Sequence, residues 1–234
     1  MAVDKVREGL WRWTVPHPEW NGATDWDEVV GSLYCETPEA IVVIDPLVPR
    51  TGGEAERFWH AFDRDVERCG VPVAVLLTCR WHLRSARAFR ERHGARVYAP
   101  TTTGHGASDG VTDLVVDGAA VMPGVHAFVT GSPAPNEECV YVLSEHRAAV
   151  VGDILLGDTD GGLRVADPGW YANSDAERAW YRNDMAHSLE RLLAFDLEHL
   201  FVAHGAPIAG DPVQVLRSTL VRHRARAGTD TELR

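Results

Sequence analysis

The sequence predicts a mixed α/β domain in which two sheets are covered on their outer faces by helices. Three observations carry this expectation. Segments with strand or helix periodicity follow in the order strands, βαβαβ, a run of short strands, then αβα. Three apolar runs, VAVLL, AAVV and LFVA, each stop at polar residues: Thr78 to His82, Gly152-Asp153 and His204-Gly205. The 234 residues, 45% hydrophobic and 24% charged, suffice for one sizeable core, so one domain over 1–234 is expected.

Each element has a local reason. Residues 9–15 and 29–36 hold the aromatic and β-branched residues of strands, separated by the turn-rich PHPEWNGATDWDE. Ile41 to Ile44 is a short buried strand ending at Asp45-Pro46. Glu54 to Cys69 reads as a helix with Phe58, Ala61, Phe62 and Val66 on one face. Val73 to Leu77 is a strand, Ser85 to His93 a helix, and Ala95 to Tyr98 a strand after Gly94. Thr112 to Val116, Val125 to Val129, Cys139 to Leu143 and Ala148 to Val151 are strand-sized pieces between turn residues. Ser174 to Phe195 reads as helical, with Asp175 and Glu177 near its positive start. His199 to Ala203 is a strand, and Asp211 to Arg222 a last helix begun by Asp211-Pro212.

Composition excludes several functions. A net charge of −11 disfavours nonspecific binding to nucleic acid or anionic membranes, and Arg222, Arg224 and Arg226 read as a solvated tail. No apolar run approaches the roughly 20 residues of a membrane span, and MAVDKVREGL lacks a signal peptide's apolar core. The four scattered cysteines, without a CxxC pair, read as reduced thiols of a cytoplasmic protein.

The chemistry is expected at the strand ends, where rigid strands hold side chains and loops shape a pocket. His82, Asp153 and His204 offer two imidazoles and a carboxylate, a set that binds zinc, iron or manganese and leaves open positions. The bland readings stand beside this one. His82 serves equally as a polar residue capping the helix from Ser85, and Asp153 as a cap of the GDTDGG turn. Cys79 reads first as a small buried residue, and second as a nucleophile with His82 as its base. Arg80 and Arg84 suit a substrate carboxylate or phosphate, or else are solvated helix-start residues. Trp20, Trp26, Trp81, Trp170 and Tyr171 lie in loops near the rim, as pocket walls or as edge packing. His17, His105 and His126 have no partner spacing and read as structural or exposed.

Four segments together carry a resemblance. AIVVIDPLVP, VAVLLTCRWHLRSARAFRERHGARVYAP, AAVVGDILLG and LFVAHGAPI resemble, in order and spacing, the metal-site segments of the metallo-β-lactamase fold superfamily, in its glyoxalase-II-like branch. The resemblance covers nearly the whole chain and implies a four-layer αββα sandwich. The metal motif is degenerate. Where the family carries Thr-His-x-His-x-Asp-His, this chain has Thr78-Cys79-Arg80-Trp81-His82. Aligned on the helix that follows, His82 takes the motif's last histidine and Trp81 replaces its aspartate. The earlier histidines have no counterpart unless Cys79 stands in for the first. The family's P-G-H-T-x-G turn falls near VTGSPAPN, which has no histidine.

What the resemblance implies is therefore a reduced site. His82, Asp153 and His204 would hold one zinc or iron ion, or none, with Asp45 fixing the loop beneath. The expected function is hydrolysis of a small-molecule ester, thioester or lactone, with Asp153, His82 and Cys79 in catalytic roles. Arg80, Arg84, Trp81, Trp20 and Trp170 would contact the substrate. Two alternatives stand: a metal-free pseudo-enzyme or binding protein of the same fold, and a mononuclear iron oxidase or oxygenase. The expected partner is a small molecule, with association of identical copies left open.

Overall fold

The chain folds as four layers, α/β/β/α, and strand alternation explains why. In β4 (Ile41–Ile44) and β5 (Val73–Leu76) every residue is buried, and successive residues face opposite cores. Val42, Ile44, Ala74 and Leu76 point inward between the sheets, whereas Ile41, Val43, Val73 and Val75 point outward under helices. The same split divides β10 (Cys139–Leu143): Cys139, Tyr141 and Leu143 face the inter-sheet core, Val140 and Val142 the other helical layer. Strands buried on both faces read as continuous apolar runs, which is what these segments are.

This computed structural model describes residues 1–22, 26–50, 52–100, 110–133, 136–158, 160–171 and 173–231. The first sheet runs in order β1 (Ala2–Arg7), β2 (Leu10–Pro16), β3 (Val29–Glu36), β4, β5, β6 (Arg96–Ala99) and β7 (Asp113–Leu114). Over its outer face lie α1 (Gly52–Cys69) and α2 (Ala86–His93), whose Phe58, Trp59, Phe62 and Phe89 interlock at centroid separations of 4.9 to 6.3 Å. The second sheet joins β8 (Ala120–Met122), β9 (Val125–Val129), β10, β11 (Ala148–Val151), β14 (His199–Val202) and β15 (Ile208–Ala209). It is covered by α3 (Asp175–Asn183), α4 (Met185–Glu190) and α5 (Pro212–Thr231), packed through Trp180, Met185, Leu189, Leu216 and Leu220. A hairpin, β12 (Leu155–Gly157) with β13 (Leu163–Val165), stands apart from both sheets.

The two sheets are bonded to each other at one end. Gly31 N–H donates to Ala203 O at 2.8 Å, Val30 bridges His204, Cys139 N–H donates to Thr78 O at 2.8 Å, and Cys79 bridges Glu138. These links lie where β5, β11 and β14 end, so the residues after those strands converge.

Three expectations are corrected. The helix expected over Ser174 to Phe195 is broken at Asp184, which ends α3 and begins α4, and Arg191–Ala194 tightens into a 3-10 turn. The last helix runs on past Arg222 to Thr231. Strands β1, β8, β12, β13 and β15 escape the sequence reading. β1 is a charged edge strand of the kind that resists pairing, and the others are two or three residues long. No helix among the described residues is long and apolar enough to cross a membrane.

Candidate active site

Asp45, the first residue after β4, sits in a left-handed conformation (φ 49°), which aspartate tolerates better than most residues. The turn is held by the Ser32 hydroxyl, which donates to Asp45 O at 2.8 Å, and it aims the carboxylate at the end of β5. There Asp45 accepts Thr78 N–H at 2.8 Å and the Thr78 hydroxyl at 2.6 Å. At 3% exposure, a carboxylate needs these donors. Asp45 thus lies beneath the site, in the place the sequence reading gives it.

The Thr78 bond fixes the protonation of His82. A hydroxyl has one proton, and Thr78 gives it to Asp45, so toward His82 Nδ1, 3.0 Å away, it can only accept. Nδ1 therefore carries a hydrogen, also 2.9 Å from Asp45 Oδ2. The opposite nitrogen, Nε2, faces Asp153 Oδ1 at 3.0 Å. His204 Nε2 approaches the same oxygen at 3.3 Å. Asp45, His82, Asp153 and His204 thus form one row, buried but for Asp153, whose side chain is 17% exposed. Yet Asp153 Oδ1 has no hydrogen bond of acceptable geometry, although it is buried. His204 Nδ1 is buried and unpartnered as well.

Two arrangements satisfy a lone pair on Nε2 facing a carboxylate: a proton, or a cation shared by both atoms. Burial and Arg84 push the His82 pKa down, but the carboxylates of Asp153 and Asp45 outweigh them and hold it well above the ordinary range. For Asp153 burial pushes upward, and the two imidazoles overcome it, holding the carboxyl well below its usual range. The site therefore favours Asp153 ionised beside positive charge.

Cys79 stands beside two of the ligands expected from sequence, His82 and Asp153. Among the described residues, the one group of three or more His, Cys, Asp or Glu side chains with ligand atoms mutually within 4.8 Å is Cys79, His82 and Asp153. His204 touches Asp153 but stands outside that group. Cys79 is buried at 2% exposure, its sulfur 3.9 Å from Asp153 Oδ2, and burial pushes its thiol up to about 12. Without a cation beside it the thiol keeps its proton and is a poor nucleophile.

Glu138 is absent from the sequence reading, although a glutamate beside the apolar run CVYVL is the signal that could have found it. It is buried, accepts Ile154 N–H at 3.1 Å on Oε2 and the Tyr171 hydroxyl on Oε1, and its backbone pairs with Cys79. Burial first, then the Asp153 charge, push its carboxyl up to about 8, so it is protonated at neutral pH. Glu138 and Thr78 press on Gly152 from two sides: a Cβ there would stand 2.7 Å from Glu138 Oε2 and 2.6 Å from Thr78 Oγ1.

The expected wall residues separate into groups. Arg80, Trp81, Trp170 and Tyr171, with Cys79, Asn136, Glu138 and Asp153, line a cavity of about 40 Å³. Trp81 is 59% exposed, with the Arg80 guanidinium 3.8 Å over its ring. Arg84 sits on the other side. Its backbone is strained (φ 28°), its Nη1 reaches Asp45 O at 3.5 Å, and its buried Nε has no partner. Trp20 donates to Trp26 O and does not line this cavity. Trp26 instead places its ring 5.2 Å from His204 and 5.3 Å from His17. His17, expected to be structural or exposed, therefore lies at the edge of the site, its pKa lowered by burial and then by Arg84. His105 lies outside the described residues.

No family model and no curated protein matches this chain. Solved structures do. The metallo-β-lactamase DIM-1 superposes with a TM-score of 0.65 at 14% identity, over 98% of this chain and 97% of that one. The metallo-β-lactamase FIM-1 from Pseudomonas aeruginosa, in its mono-zinc form, gives 0.64 at 13% over 95% and 96%. A metallo-β-lactamase from Hirschia baltica gives 0.61 at 16% over 95% and 97%. Identities this low speak to architecture and not to activity, and on architecture they agree with the layers and strand order described above: this chain has the metallo-β-lactamase fold.

Proposed function

We propose that this protein is a hydrolase of small carbonyl compounds (an ester, thioester or lactone) built around a single divalent metal. The observation that carries the reading is the buried Asp153 Oδ1, unbonded, with His82 Nε2 and His204 Nε2 at 3.0 and 3.3 Å. Ligand atoms about 2.0–2.2 Å from a tetrahedral zinc lie about 3.3–3.6 Å from one another, so His82 Nε2 and Asp153 Oδ1, at 3.0 Å, need to part only slightly to share an ion. Asp153, His82 and Cys79 would hold the ion, with His204 against Asp153 on the outer side. Zinc or iron suits this donor set. When bound, such a metal polarises a carbonyl and makes water nucleophilic near neutral pH.

The rest is the work of the chain's own groups. Asp45 and Thr78 keep the His82 proton on Nδ1 and leave the Nε2 lone pair facing inward. Glu138 holds the Asp153-Ile154 turn through Ile154 N–H and anchors Tyr171 as a wall. With room for little more than one water behind Cys79, the substrate would lie across the open rim. There Trp81 and Trp170 offer apolar faces, and Arg80 and Arg84 offer donors to its polar groups.

Metal analysis of protein purified without chelator tests the reading. About one equivalent is expected, falling in His82→Ala and Asp153→Asn. Less than about 0.2 equivalents, with no uptake on adding zinc or iron, overturns it. A second reading, a metal-free protein with His82 as a buried imidazolium between Asp45 and Asp153, is favoured by the upward displacement of the His82 pKa, and that outcome would establish it.

A further inference from the structure

A second, larger cavity lies away from the strand ends. It is a cleft of about 990 Å³ on the outer face of the second sheet, between the β12–β13 hairpin, α3 and α5. Its floor is Leu163, Val165, Ala166 and Tyr181. Guanidinium groups reach it from three elements: Arg164 from β13, Arg182 from α3, and Arg222 and Arg226 from α5. In a chain with eleven more acids than bases, such convergence is unexpected.

The same two helices provide the comparison. On α3, Arg178 pairs with Asp175; on α5, Arg224 pairs with Glu190 at 2.6 Å. Arg182, one turn beyond Arg178 and on the cleft, has no ion pair or hydrogen bond among the described residues. Arg222 is held by uncharged oxygens, donating to Thr219 Oγ1 at 2.9 Å and Leu163 O at 3.3 Å. Those bonds, both from Nη2, fix its guanidinium at the cleft without neutralising it and leave Nη1 and Nε to donate a charge-assisted contact to an anion. The carboxylates that line the same cleft are engaged locally. Asp158 pairs with Arg164 at 3.4 Å, Asp160 accepts Gly162 N–H, and Asp167 accepts Gly169 N–H. A carboxylate offers about four lone-pair sites, so each keeps acceptor capacity for a hydroxyl.

From this we infer that the cleft is a second binding site, for a small phosphate ester that carries hydroxyl groups. The phosphate lies between Arg182 and Arg222, and the hydroxyls lie toward Asp158, Asp160 and Asp167. Binding here needs no metal and no member of the Asp45–His204 row, so it stands or falls apart from the proposed hydrolase activity. The two sites are nonetheless joined by covalent chain. Val165 to Pro168 line the cleft, and Trp170 and Tyr171, directly after, line the cavity at Asp153.

Ribose 5-phosphate titrated calorimetrically into the full chain, with a chelator present and at low salt, tests the site. Saturable binding is expected, weakened about tenfold or more in Arg182→Gln, the loss of one charge-assisted contact. Arg178→Gln, one turn away, should bind as the parent does. Arg222→Gln should also weaken binding, with its melting temperature recorded to separate a folding defect from a lost contact. No saturation by about 10 mM ligand, an affinity of at best roughly 3 kcal/mol, overturns the proposal. Equal affinity in the parent and Arg182→Gln overturns it as well, as does binding seen only when chelator is omitted, which would place the phosphate on a metal elsewhere.

Discussion

Replacing Gly152 with alanine tests the packing beneath Asp153 with one carbon atom. The added Cβ would stand 2.6 Å from Thr78 Oγ1, 2.7 Å from Glu138 Oε2 and 3.0 Å from Thr78 Cβ, where ordinary contact begins at 3.4 Å. Relief therefore needs movements of 3.4 − 2.6 = 0.8 Å and 3.4 − 2.7 = 0.7 Å. Neither neighbour is the loose end of a flexible side chain. Thr78 Oγ1 is bonded to Asp45 and His82, and Glu138 Oε2 to Ile154 N–H. Gly152 is not among the glycines with positive φ, so alanine meets no backbone penalty and the effect is steric. Overpacking of this kind costs about 1–3 kcal/mol. At roughly 2–4 °C per kcal/mol for a domain of this size, the melting temperature should fall by about 2–12 °C. Because the displaced groups orient His82 and the turn at Asp153, metal affinity measured by chelator competition should fall on the order of 10- to 100-fold. A variant that melts within about a degree of the parent and binds metal equally well would refute the packing described here.

Glu138→Gln should change how stability depends on pH. The Glu138 pKa rises from 4.5 unfolded to about 8 folded, so its neutral form is the one folding favours. That stability is complete below the unfolded value and lost as pH rises through the folded one, by roughly 5 kcal/mol at most. Urea unfolding at pH 5 and pH 8 should show this slope in the parent and a flatter one in the variant; equal slopes would contradict it. Asp45→Asn removes the charge behind His82 and lets the side chain present only one oxygen to Thr78. Metal affinity should drop about 10- to 100-fold by chelator competition, and unchanged affinity would remove Asp45 from its supporting role. Gly205→Ala should be more damaging than Gly152→Ala. Its φ is +84°, and the new Cβ would collide with the Gly157 carbonyl, so a loss above about 2 kcal/mol in a denaturant melt is expected, and a smaller loss would be inconsistent with that contact.

Much of the architecture was legible because its central strands are buried on both faces and Val125–Val129 on one. Ile41–Ile44, Val125–Val129, Cys139–Leu143 and Ala148–Val151 are bounded in the structure as the apolar runs bound them in the sequence. The short pieces were not legible, because two or three residues show no period, nor was the break at Asp184, where a capping residue interrupts a continuous amphipathic pattern. At the site, chain position pointed to His82, Asp153 and His204, but not to how their nitrogens are shared. The inclusion of Cys79 and the approach of Trp26 and His17 depend on side-chain directions and on contacts between distant segments, Cys79 meeting Asp153 and Trp26 meeting His204. Glu138 was hidden because a glutamate in a turn-rich stretch looks like any solvated one.

The joins between the two sheets bear on how such a chain tolerates change at its rim. Gly31 with Ala203, Val30 with His204, Cys139 with Thr78 and Cys79 with Glu138 meet through main-chain atoms alone. A backbone seam is indifferent to which side chains hang from it. Side chains at the rim can therefore change while the two halves stay stitched at the same stations. Whatever chemistry occupies that rim inherits a fixed frame it did not have to build.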